Sequence, residues 1–478
     1  MSHDYPREAC GVFGVCCTTQ PAAGRIFTGL MALQHRGQES AGMALAEPEG
    51  RLVAKKTMGL VGSGSLLKEA LSLRGKIGLG HVRYSTTGLS SVDNAQPFCI
   101  GEMAFCHNGN LVNYMELKGL MWKKRIPLMS SSDAEILLNI LLEKRRETGD
   151  VFEALSALAE VVEGGYAALC LTDQSELLAF RDPLGLRPLC YGRGEDFAAC
   201  ASESVALDSV GGEFLSDVKP GEALLITDSH LVKKRFVAPC RRAHCMFEYV
   251  YFSRPDSVME GKSVYDVRIS LGKRLAKDFD CNADVIVPVP DTSRPAAEGM
   301  SRMSSLPVAE GLIKNRYIHR TFIMPVQAAR DDAVKMKLNP LKSVLRGQRV
   351  ILVDDSIVRG TTIRKIVDMV RRAGAREVHV RITCPPLISP CFYGIDIATH
   401  QELIASQKTV EEIRRLIGAD SLEYQTVRGL VEAIGLREEE LCLACLTGVY
   451  PTPKAQRLAD RMRVKMPAEG VRYIEAEG

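Results

Sequence analysis

Residues 350–362 read VILVDDSIVRGTT, an apolar run followed by two adjacent acids, small residues, a glycine and hydroxyls. The four apolar residues predict a strand that is buried on both faces. Asp354 and Asp355 stand where this strand should end, and ligands of open α/β sheets bind at that edge. The small residues and the helix that follows suit a phosphate, whereas the carboxylates suit sugar hydroxyls or a metal. Because a bare pair of acids is usually a solvated loop, the prediction depends on the whole arrangement.

The sequence around this segment alternates between helical patterns and short apolar runs. Amphipathic helices are predicted at SVYDVRISLGKRLAKDF, PAAEGMSRM and TTIRKIVDMVRRAG, the last of which ends at Gly374. Buried strands are predicted at ADVIVPVP, QRVILVDD and REVHVRITC. This alternation, from about residue 262 onward, predicts an α/β part with a parallel sheet and helices on its faces.

The first half of the chain, to about residue 238, has a different pattern. Apolar or alternating runs such as AALCLTD, LLAFRDPLG and EALLITD are separated by Gly, Pro and Asp, which predicts short strands with turns. Helical stretches lie between them, for example at 133–144, where Ser or Asp can cap the start. We therefore expect an α+β domain of layered sheets. The segment from Pro451 onward is short and highly charged and is expected to be peripheral.

The composition limits the possible classes of protein. A chain of 478 residues is too long for one hydrophobic core, so two or three domains are expected. The hydrophobic fraction of 46% and the charged fraction of 25% are those of an ordinary globular protein. A net charge of +3 without a block of one sign argues against nucleic acid or an anionic membrane as the main partner, but leaves small anionic ligands open. No apolar run has the length of a membrane span.

Fifteen cysteines are scattered through the chain. Residues 1–9 contain no apolar stretch of the kind that a secretory signal requires, so a disulfide framework is not expected. A reducing, cytoplasmic location is the corresponding expectation. There most cysteines are buried apolar residues, and we expect this of Cys16, Cys17, Cys99 and Cys106.

The segment at 350–362 resembles the phosphoribosyl pyrophosphate (PRPP) signature of type I phosphoribosyltransferases. The resemblance implies that Asp354 and Asp355 contact the ribose hydroxyls and the metal-bound substrate. VPVPDTS at 287–293 is similar to the loop near the pyrophosphate, where Thr292 would contact Mg²⁺ together with the two acids. The implied cradle for the 5′-phosphate consists of Ser356, Ile357, Val358, Arg359, Gly360, Thr361 and Thr362.

The basic segment KNRYIHRTFIMP at 314–325 carries Lys314, Arg316 and Arg320. It is similar to the mobile loop that closes over PRPP in the same family, which implies that Lys314 and Arg316 bind this substrate. Taken alone, the segment would be interpreted as a solvated charged surface.

Cys10, in MSHDYPREACGVFGV, has two interpretations. A cysteine chosen at random is usually a buried thiol. LQHRGQESAG at 33–42, HVRYSTTG at 81–88, CHNGNLVN at 106–113 and SSSDAE at 130–135 favour a second one. Together these segments resemble the class II, N-terminal nucleophile (Ntn) glutamine amidotransferases. That family implies layered antiparallel sheets and a catalytic Cys10.

The chemistry of such a nucleophile explains the nine residues before it. A thiol has a pKa of about 8.5 and needs a base, and an α-amino group with a pKa of about 7.7–8.0 is suited to that role near neutral pH. An amide nitrogen cannot take the proton. We therefore expect residues 1–9 to be a propeptide that is removed autocatalytically.

The same resemblance assigns the glutamine-binding residues. Arg83 would hold the α-carboxylate of glutamine through a bidentate pair, and Asp133 would hold its ammonium group. The side chain of Asn108 and the N–H of Gly109 would stabilise the oxyanion of the tetrahedral intermediate. The alternative interpretation of HNGN is a turn, since Asn-Gly is a strong turn signal, and the two interpretations are compatible.

The two resemblances together cover most of the chain, and their order is similar to that in glutamine phosphoribosylpyrophosphate amidotransferases. They imply a propeptide at 1–9, a glutaminase domain at 10–238, a phosphoribosyltransferase domain at 239–450 and a tail at 451–478. The implied reaction is the first committed step of de novo purine synthesis, in which glutamine, PRPP and water give 5-phosphoribosylamine, pyrophosphate and glutamate. Ammonia would pass from Cys10 to the PRPP site by a sealed path, because protonation destroys its nucleophilicity.

The resemblance also implies a homotetramer or dimer and feedback inhibition by purine nucleotides. Two alternative functions fit the sequence less well. A nucleotide-sensing regulator derived from a decayed enzyme should have lost Cys10, Arg83 or the acid pair, all of which are present. An amidotransferase of the asparagine-synthetase type would need an SGG-x-DS loop, which the sequence lacks.

Cys442 and Cys445 form the motif CLAC. By itself this spacing fits zinc, a redox pair, a cluster or no function. Cys245 and Cys391 occur at positions that match the iron-sulfur branch of the family, which implies four thiolates for a 4Fe-4S cluster, with zinc as the alternative. Other members lack these cysteines and still work, so the resemblance implies a structural or oxygen-sensing cluster.

Overall fold

The first part of the chain forms two antiparallel sheets. The computed structural model describes residues 10–63, 69–70, 72–84, 91–228, 230–278, 282–315, 338–397 and 399–464. The strands of the first part are β1 (Gly11–Cys17), β2 (Ser40–Ala46), β3 (Leu52–Met58), β4 (Ile77–Arg83), β5 (Phe98–Ile100), β6 (Met103–Leu111), β7 (Gly164–Thr172), β8 (Leu177–Arg181), β9 (Cys190–Arg193), β10 (Phe197–Ala201), β11 (Glu213–Asp217), β12 (Glu222–Ile226) and β13 (Leu231–Arg235). One sheet has the order β11-β9-β10-β1-β4-β2-β3, and the other has the order β13-β12-β8-β7-β6-β5.

These two sheets pack face to face and are covered by helices on their outer faces. The helices are α1 (Ala23–Ala32), α2 (Tyr114–Lys123), α3 (Asp133–Thr148), α4 (Val151–Val161) and α5 (Ser204–Ser209). Val12 of the first sheet and Leu169 of the second lie in one core between the sheets. Ile26 of α1 packs on the outside of the first sheet, and Leu137 of α3 packs on the outside of the second. The prediction of layered antiparallel sheets is therefore confirmed.

Helix α3 shows how local sequence sets an element of this domain. It begins at Asp133, where the Ser132 hydroxyl accepts a hydrogen bond from the N–H of Ala134 at 3.4 Å. It ends at Gly149, whose φ of +74° is favourable for glycine. The helix predicted at 133–144 is thus confirmed and is four residues longer at its C-terminal end.

The second part of the chain contains a parallel sheet. The strands of this second part are β14 (His244–Cys245), β15 (Val258–Met259), β16 (Lys262–Ser263), β17 (Val285–Pro288), β18 (Leu312–Lys314), β19 (Leu338–Pro340), β20 (Arg349–Asp354), β21 (Glu377–Ile382), β22 (Ser421–Tyr424) and β23 (Leu441–Cys442). The central sheet has the order β17-β20-β21-β22, and all of its neighbouring pairs are parallel. The predicted alternation of strands and helices is confirmed.

Helices flank this sheet on both faces. The helices of the second part are α6 (Val264–Asp278), α7 (Arg294–Ser304), α8 (Lys342–Leu345), α9 (Thr361–Arg372), α10 (Val410–Ile417), α11 (Val427–Ile434), α12 (Ala444–Thr447) and α13 (Pro453–Val464). Leu352 of β20 shares a core with Ile366 of α9, whereas Val353 shares a core with Met300 of α7. Strand β20 is therefore buried on both faces, and it ends with Asp354 at the carboxyl edge of the sheet.

Helices α6 and α7 cross at two glycines with almost no space between their backbones. A Cβ atom on Gly299 would lie 2.0 Å from the carbonyl oxygen of Ile269, and one on Gly272 would lie 1.8 Å from that of Ala296. We expect Gly299→Ala to destabilise the second part by about 3 kcal/mol, because the helices must separate. Urea unfolding measures this change. Gly119→Ala in α2 is the matched control, since its Cβ would meet no atom within 4 Å. Equal stability of Gly299→Ala and wild type would contradict the expectation.

The C-terminal segment is not peripheral as far as residue 462. Ala455, Leu458 and Met462 of α13 are buried together with Tyr393 and Tyr450. The prediction of a peripheral tail was wrong here because the helix turns its charged residues outward and its apolar ones inward. Residues 465–478 lie outside the described part.

The described cysteines are free thiols. Cys16, Cys17 and Cys106 are buried as expected, but Cys99 is exposed and its expected packing role is wrong. It lies on the edge strand β5, where Phe98 turns to the core and the next side chain points away. Within the described residues, no helix is both long enough and apolar enough to cross a membrane.

Candidate active sites

Cys10 lies at the entrance to β1, immediately before its first residue. Its side chain is buried, and the thiol donates a hydrogen bond to the carbonyl oxygen of Tyr84 at 3.3 Å. Burial raises the pKa of the Cys10 thiol, and the charge of Arg83 partly opposes this rise. A carbonyl oxygen does not take up a proton at neutral pH, so the thiol needs a further base. Residues 1–9, the predicted propeptide, lie outside the described residues.

Cys10 opens into a small pocket that contains most of the predicted glutamine-site residues. Arg83 comes from the end of β4, Gly109 from β6 and Asp133 from the start of α3. The pocket is lined by Cys10, Arg83, Tyr84, Gln96, His107, Gly109, Ser132 and Asp133. Residues more than 100 positions apart in sequence thus meet at one thiol.

The pocket has a cationic and an anionic group at fixed positions. The Nη1 atom of Arg83 donates to Oε1 of Glu39 at 2.6 Å. Oδ2 of Asp133 accepts from the backbone N–H of Leu111 at 3.1 Å and lies 3.5 Å from Nε2 of His107. One guanidinium and one carboxylate beside a thiol match the two charged ends of an α-amino acid.

Asn108 and Gly109 lie within β6 rather than in a turn. The whole of Met103–Leu111 pairs with β7, and Gly109 is opposite Tyr166. The turn interpretation of HNGN is therefore wrong, because tertiary pairing overrides the local preference of Asn-Gly. Gly109 has φ of +143°, and a Cβ there would lie 1.9 Å from the carbonyl oxygen of Gly165. The amide nitrogen and oxygen of Asn108 are buried without a hydrogen-bond partner among the described residues.

The acid pair at the end of β20 forms a second site. Both Asp354 and Asp355 are buried. Thr292, from the loop after β17, donates from Oγ1 to Oδ2 of Asp355 at 2.5 Å, and Ser356 donates to its Oδ1 at 2.8 Å. Burial raises the pKa of the Asp355 carboxyl, and these hydrogen bonds oppose the rise. The structure thus brings Thr292 to the predicted acids, and their oxygens are the donor type that Mg²⁺ prefers.

The loop after these acids leads into helix α9. Gly360 caps the helix with φ of +81°, so the first N–H groups of a 12-residue helix face this loop. Ser356, Ile357 and Val358 are buried. The guanidinium of Arg359 pairs with Glu402. Thr361 and Thr362 form the first turn of α9, as a phosphate cradle requires.

The predicted basic loop is described only at its start. Lys314 is the last residue of β18, is exposed and forms an ion pair with Asp291 at 2.6 Å. Arg316 and Arg320 lie outside the described residues. Asp291 precedes Thr292, so Lys314 is tied to the loop that reaches the acid pair.

Known proteins with both kinds of site match this chain. A family model described as a glutamine amidotransferase domain matches residues 81–209, and one described as a phosphoribosyl transferase domain matches residues 258–388. The amidophosphoribosyltransferase of Methanothermobacter thermautotrophicus is 46% identical over 94% of this chain and 95% of its own length. That of Bacillus subtilis is 45% identical over 93% of this chain and 94% of its own length.

The chain belongs to the amidophosphoribosyltransferase family. A solved B. subtilis glutamine PRPP amidotransferase, complexed with ADP and GMP, has a TM-score of 0.86 at 44% identity and covers 93% of this chain and 98% of its own. The chain is accordingly a glutamine-dependent glycosyltransferase of purine biosynthesis. The predicted Ntn glutamine amidotransferase domain and phosphoribosyltransferase domain are both confirmed.

The four cysteines assigned to the iron-sulfur branch of this family converge on one region. Cys245 on β14 is opposite Cys442 on β23. The carbonyl oxygen of Cys445 accepts hydrogen bonds from the N–H groups of Ile388 and Ser389, which are close in sequence to Cys391. Burial raises the pKa of the Cys445 thiol, and the neighbouring thiols of Cys384, Cys391, Cys442 and Cys245 raise it further. No group of three or more His, Cys, Asp or Glu side chains in the described ranges is arranged to hold a single metal ion.

Some residues of these amidophosphoribosyltransferase sites were missed by the sequence reasoning. Glu39 binds Arg83, and the Gln96 side chain accepts from the N–H of His107 at 2.8 Å. Arg268 of α6 is fully buried, and the charge of Asp355 supports its protonated form although burial lowers its pKa to about 10. Glu39 could have been found from the sequence, because it lies within the amidotransferase-like segment at 33–42. Arg268 could not, because in the sequence it is one of several cations on an amphipathic helix.

Proposed function

We propose that this chain forms 5-phosphoribosylamine by coupling two sites, a glutaminase site at Cys10 within 10–238 and a PRPP site at the acid pair within 239–450. The observation that carries the proposal is the meeting of Arg83, Gly109 and Asp133 around the Cys10 thiol in one pocket. A binding protein has no need of a nucleophile there. The reaction consumes glutamine, PRPP and water and yields phosphoribosylamine, pyrophosphate and glutamate.

In the glutaminase step, Arg83 would bind the α-carboxylate of glutamine and Asp133 its ammonium group, which places the side-chain amide at Cys10. Attack by the Cys10 sulfur gives a tetrahedral oxyanion, which the Asn108 amide and the Gly109 N–H would stabilise. The amide of Asn108 is buried without a partner among the described residues, but Asn108, unlike Gly109, does not line the pocket. Collapse of the intermediate releases ammonia and leaves a thioester, which water hydrolyses to glutamate.

The base of this step is the α-amino group of Cys10, freed by autocatalytic removal of residues 1–9. The thiol contacts a carbonyl oxygen, and burial raises its pKa, so a base must be supplied within the site. Mass spectrometry of active enzyme tests this directly. A chain that begins at Cys10 supports the assignment, and full activity of a chain that keeps residues 1–9 contradicts it.

In the second step, Asp354 and Asp355 would orient the ribose hydroxyls of PRPP, while residues 356–362 would hold the 5′-phosphate and Lys314 and Arg316 would close over the substrate. Thr292 and the two acids would hold Mg²⁺, which supplies positive charge to the departing pyrophosphate when bound. Most of the rate at this site then comes from positioning and charge stabilisation. Ammonia would arrive from Cys10 through a path closed to water.

We further assign a 4Fe-4S cluster to Cys245, Cys391, Cys442 and Cys445. The pairing of Cys245 with Cys442, and the hydrogen bonds that the Cys445 carbonyl oxygen accepts close to Cys391 in sequence, support one site. These four residues would supply the set of four thiolates that such a cluster takes. We expect about four iron and four sulfide ions per chain in anaerobically purified protein, with a broad visible absorption. Zinc without iron would overturn this assignment.

Regulation and assembly are assigned by the same family resemblance. The related B. subtilis enzyme was solved with ADP and GMP, and we expect purine nucleotides to inhibit this chain and the chain to form a homotetramer or dimer. The same resemblance implies a cytoplasmic location.

One assay separates this function from the alternatives. Protein is mixed with glutamine, PRPP and Mg²⁺, and glutamate and pyrophosphate are followed together. We expect the two products to appear in equal amounts. A nucleotide-sensing regulator would release neither product, and an amidotransferase with a different acceptor would release glutamate while PRPP persists.

A further inference from the structure

Gly394, in the second part of the chain, lies directly against the oxyanion residue of the first part. A Cβ atom on Gly394 would lie 2.9 Å from the carbonyl carbon of Gly109 and 3.0 Å from its Cα. Gly394 has φ of +102°, a conformation that other residues rarely adopt. The backbones of two domains therefore meet at the residue that is to bind the oxyanion.

Gly109 is confined on its other side as well. Its missing Cβ would lie 1.9 Å from the carbonyl oxygen of Gly165 on the neighbouring strand β7. A Cβ on Gly165 would in turn lie 3.2 Å from Cβ of Tyr393. The unusual backbone of Gly109 is thus confined between β7 and the segment 392–394.

Arg187 fixes the segment 392–394 in this place. Its side chain is 1% exposed, and Nε donates to the carbonyl oxygen of Tyr393 at 2.9 Å. Nη1 donates to Oε1 of Glu248 at 3.3 Å. Nη2 has no hydrogen-bond partner among the described residues and would lie 2.8 Å from a Cβ on Gly394. Arg187 therefore supports the segment from the glutaminase side.

Two further contacts make this support rigid. The carboxylate of Glu248 also binds the buried guanidinium of Arg36, so the anchor of Arg187 is held by a second cation. The Nδ2 atom of Asn110, next to Gly109, donates to the carbonyl oxygen of Phe392 at 3.4 Å. Strand β6 and the segment 392–394 are therefore hydrogen-bonded at Asn110, next to their close approach at Gly109.

We propose that Gly394 and Arg187 are positioning residues for glutamine cleavage, through which the second domain sets the orientation of the Gly109 peptide. The proposal deepens the proposed function and rests on it, since it takes the Gly109 N–H as an oxyanion donor. Loss of one such donor costs about 10²–10³-fold in kcat, so a small rotation of this peptide has a large effect. Glutamine binding at Arg83 and Asp133 does not depend on the orientation of this peptide.

The test compares glutamine hydrolysis with ammonia-dependent synthesis in full-length enzyme. Gly394→Ala places a methyl group against Gly109, and Arg187→Met removes the bond to Tyr393 while Arg36 still neutralises Glu248. We expect both variants to lower kcat for glutamine at least about 10-fold, with KM for glutamine within about 3-fold. Synthesis from ammonium chloride and PRPP stays close to wild type. Arg187→Lys, which keeps the charge, should recover part of kcat.

Gly374→Ala is the matched control. Gly374 has the same φ of +102°, but its Cβ would meet the Arg346 side chain at 3.3 Å, and neither residue lines the Cys10 pocket. It should lose stability without loss of glutamine kcat. An unchanged kcat in both test variants overturns the proposal, and so does a parallel loss of glutamine activity, ammonia activity and thermal midpoint, which marks a merely structural role. If instead Cys10→Ala keeps glutamine use, the proposed function itself fails.

Discussion

Cys10→Ala removes glutamine-dependent synthesis and leaves ammonia-dependent synthesis. The expected loss with glutamine is at least about a thousand-fold, because no other step can replace the covalent intermediate. Ammonium chloride bypasses the glutaminase site, and the acid pair is untouched by the substitution. Rates of pyrophosphate release with each nitrogen source, measured at the same PRPP concentration, give the two values.

The control for this variant is Cys16→Ala. Cys16 is buried on the same strand β1, within the core between the sheets, and it does not line the pocket. The same change of side chain there should cost some stability but little glutamine activity. Glutamine use that survives in Cys10→Ala would refute the nucleophile.

The fold could be predicted where local pattern and tertiary environment agree. The run at 350–353 became a strand buried on both faces, and α3 began at its predicted cap. The tail was mispredicted although a signal existed. The buried face of α13 consists of apolar residues at helical spacing, namely Ala455, Leu458, Ala459 and Met462. The charged residues between them led to the prediction of a peripheral tail.

The candidate site divides in the same way. Cys10, Arg83 and Asp133 lie in short motifs with a chemical reason for each residue type, and the structure brings them together. The position of Gly109 within a strand could not be predicted, because its pairing with β7 depends on residues more than 50 positions away. Gly394 had no signal at all, since a glycine that touches a distant backbone looks like any turn glycine.

Asp355→Asn abolishes synthesis from both nitrogen sources. Asparagine keeps the shape of the side chain, and its amide oxygen can still accept from Thr292, but the negative charge is lost. Without that charge the site binds Mg²⁺ and the ribose hydroxyls less well, and we expect a loss of about 10²–10³-fold. Asp354→Asn should act in the same direction.

The equal loss with glutamine and with ammonium chloride distinguishes this variant from Cys10→Ala, which fails with glutamine alone. Asp368→Asn on the exposed face of α9 is the control, because it removes an exposed carboxylate that pairs with the exposed guanidinium of Arg372. It should keep nearly full activity with either donor. If Asp355→Asn retained ammonia-dependent synthesis at the level of Asp368→Asn, the PRPP site would have to lie elsewhere, because both donors must react at the same anomeric carbon.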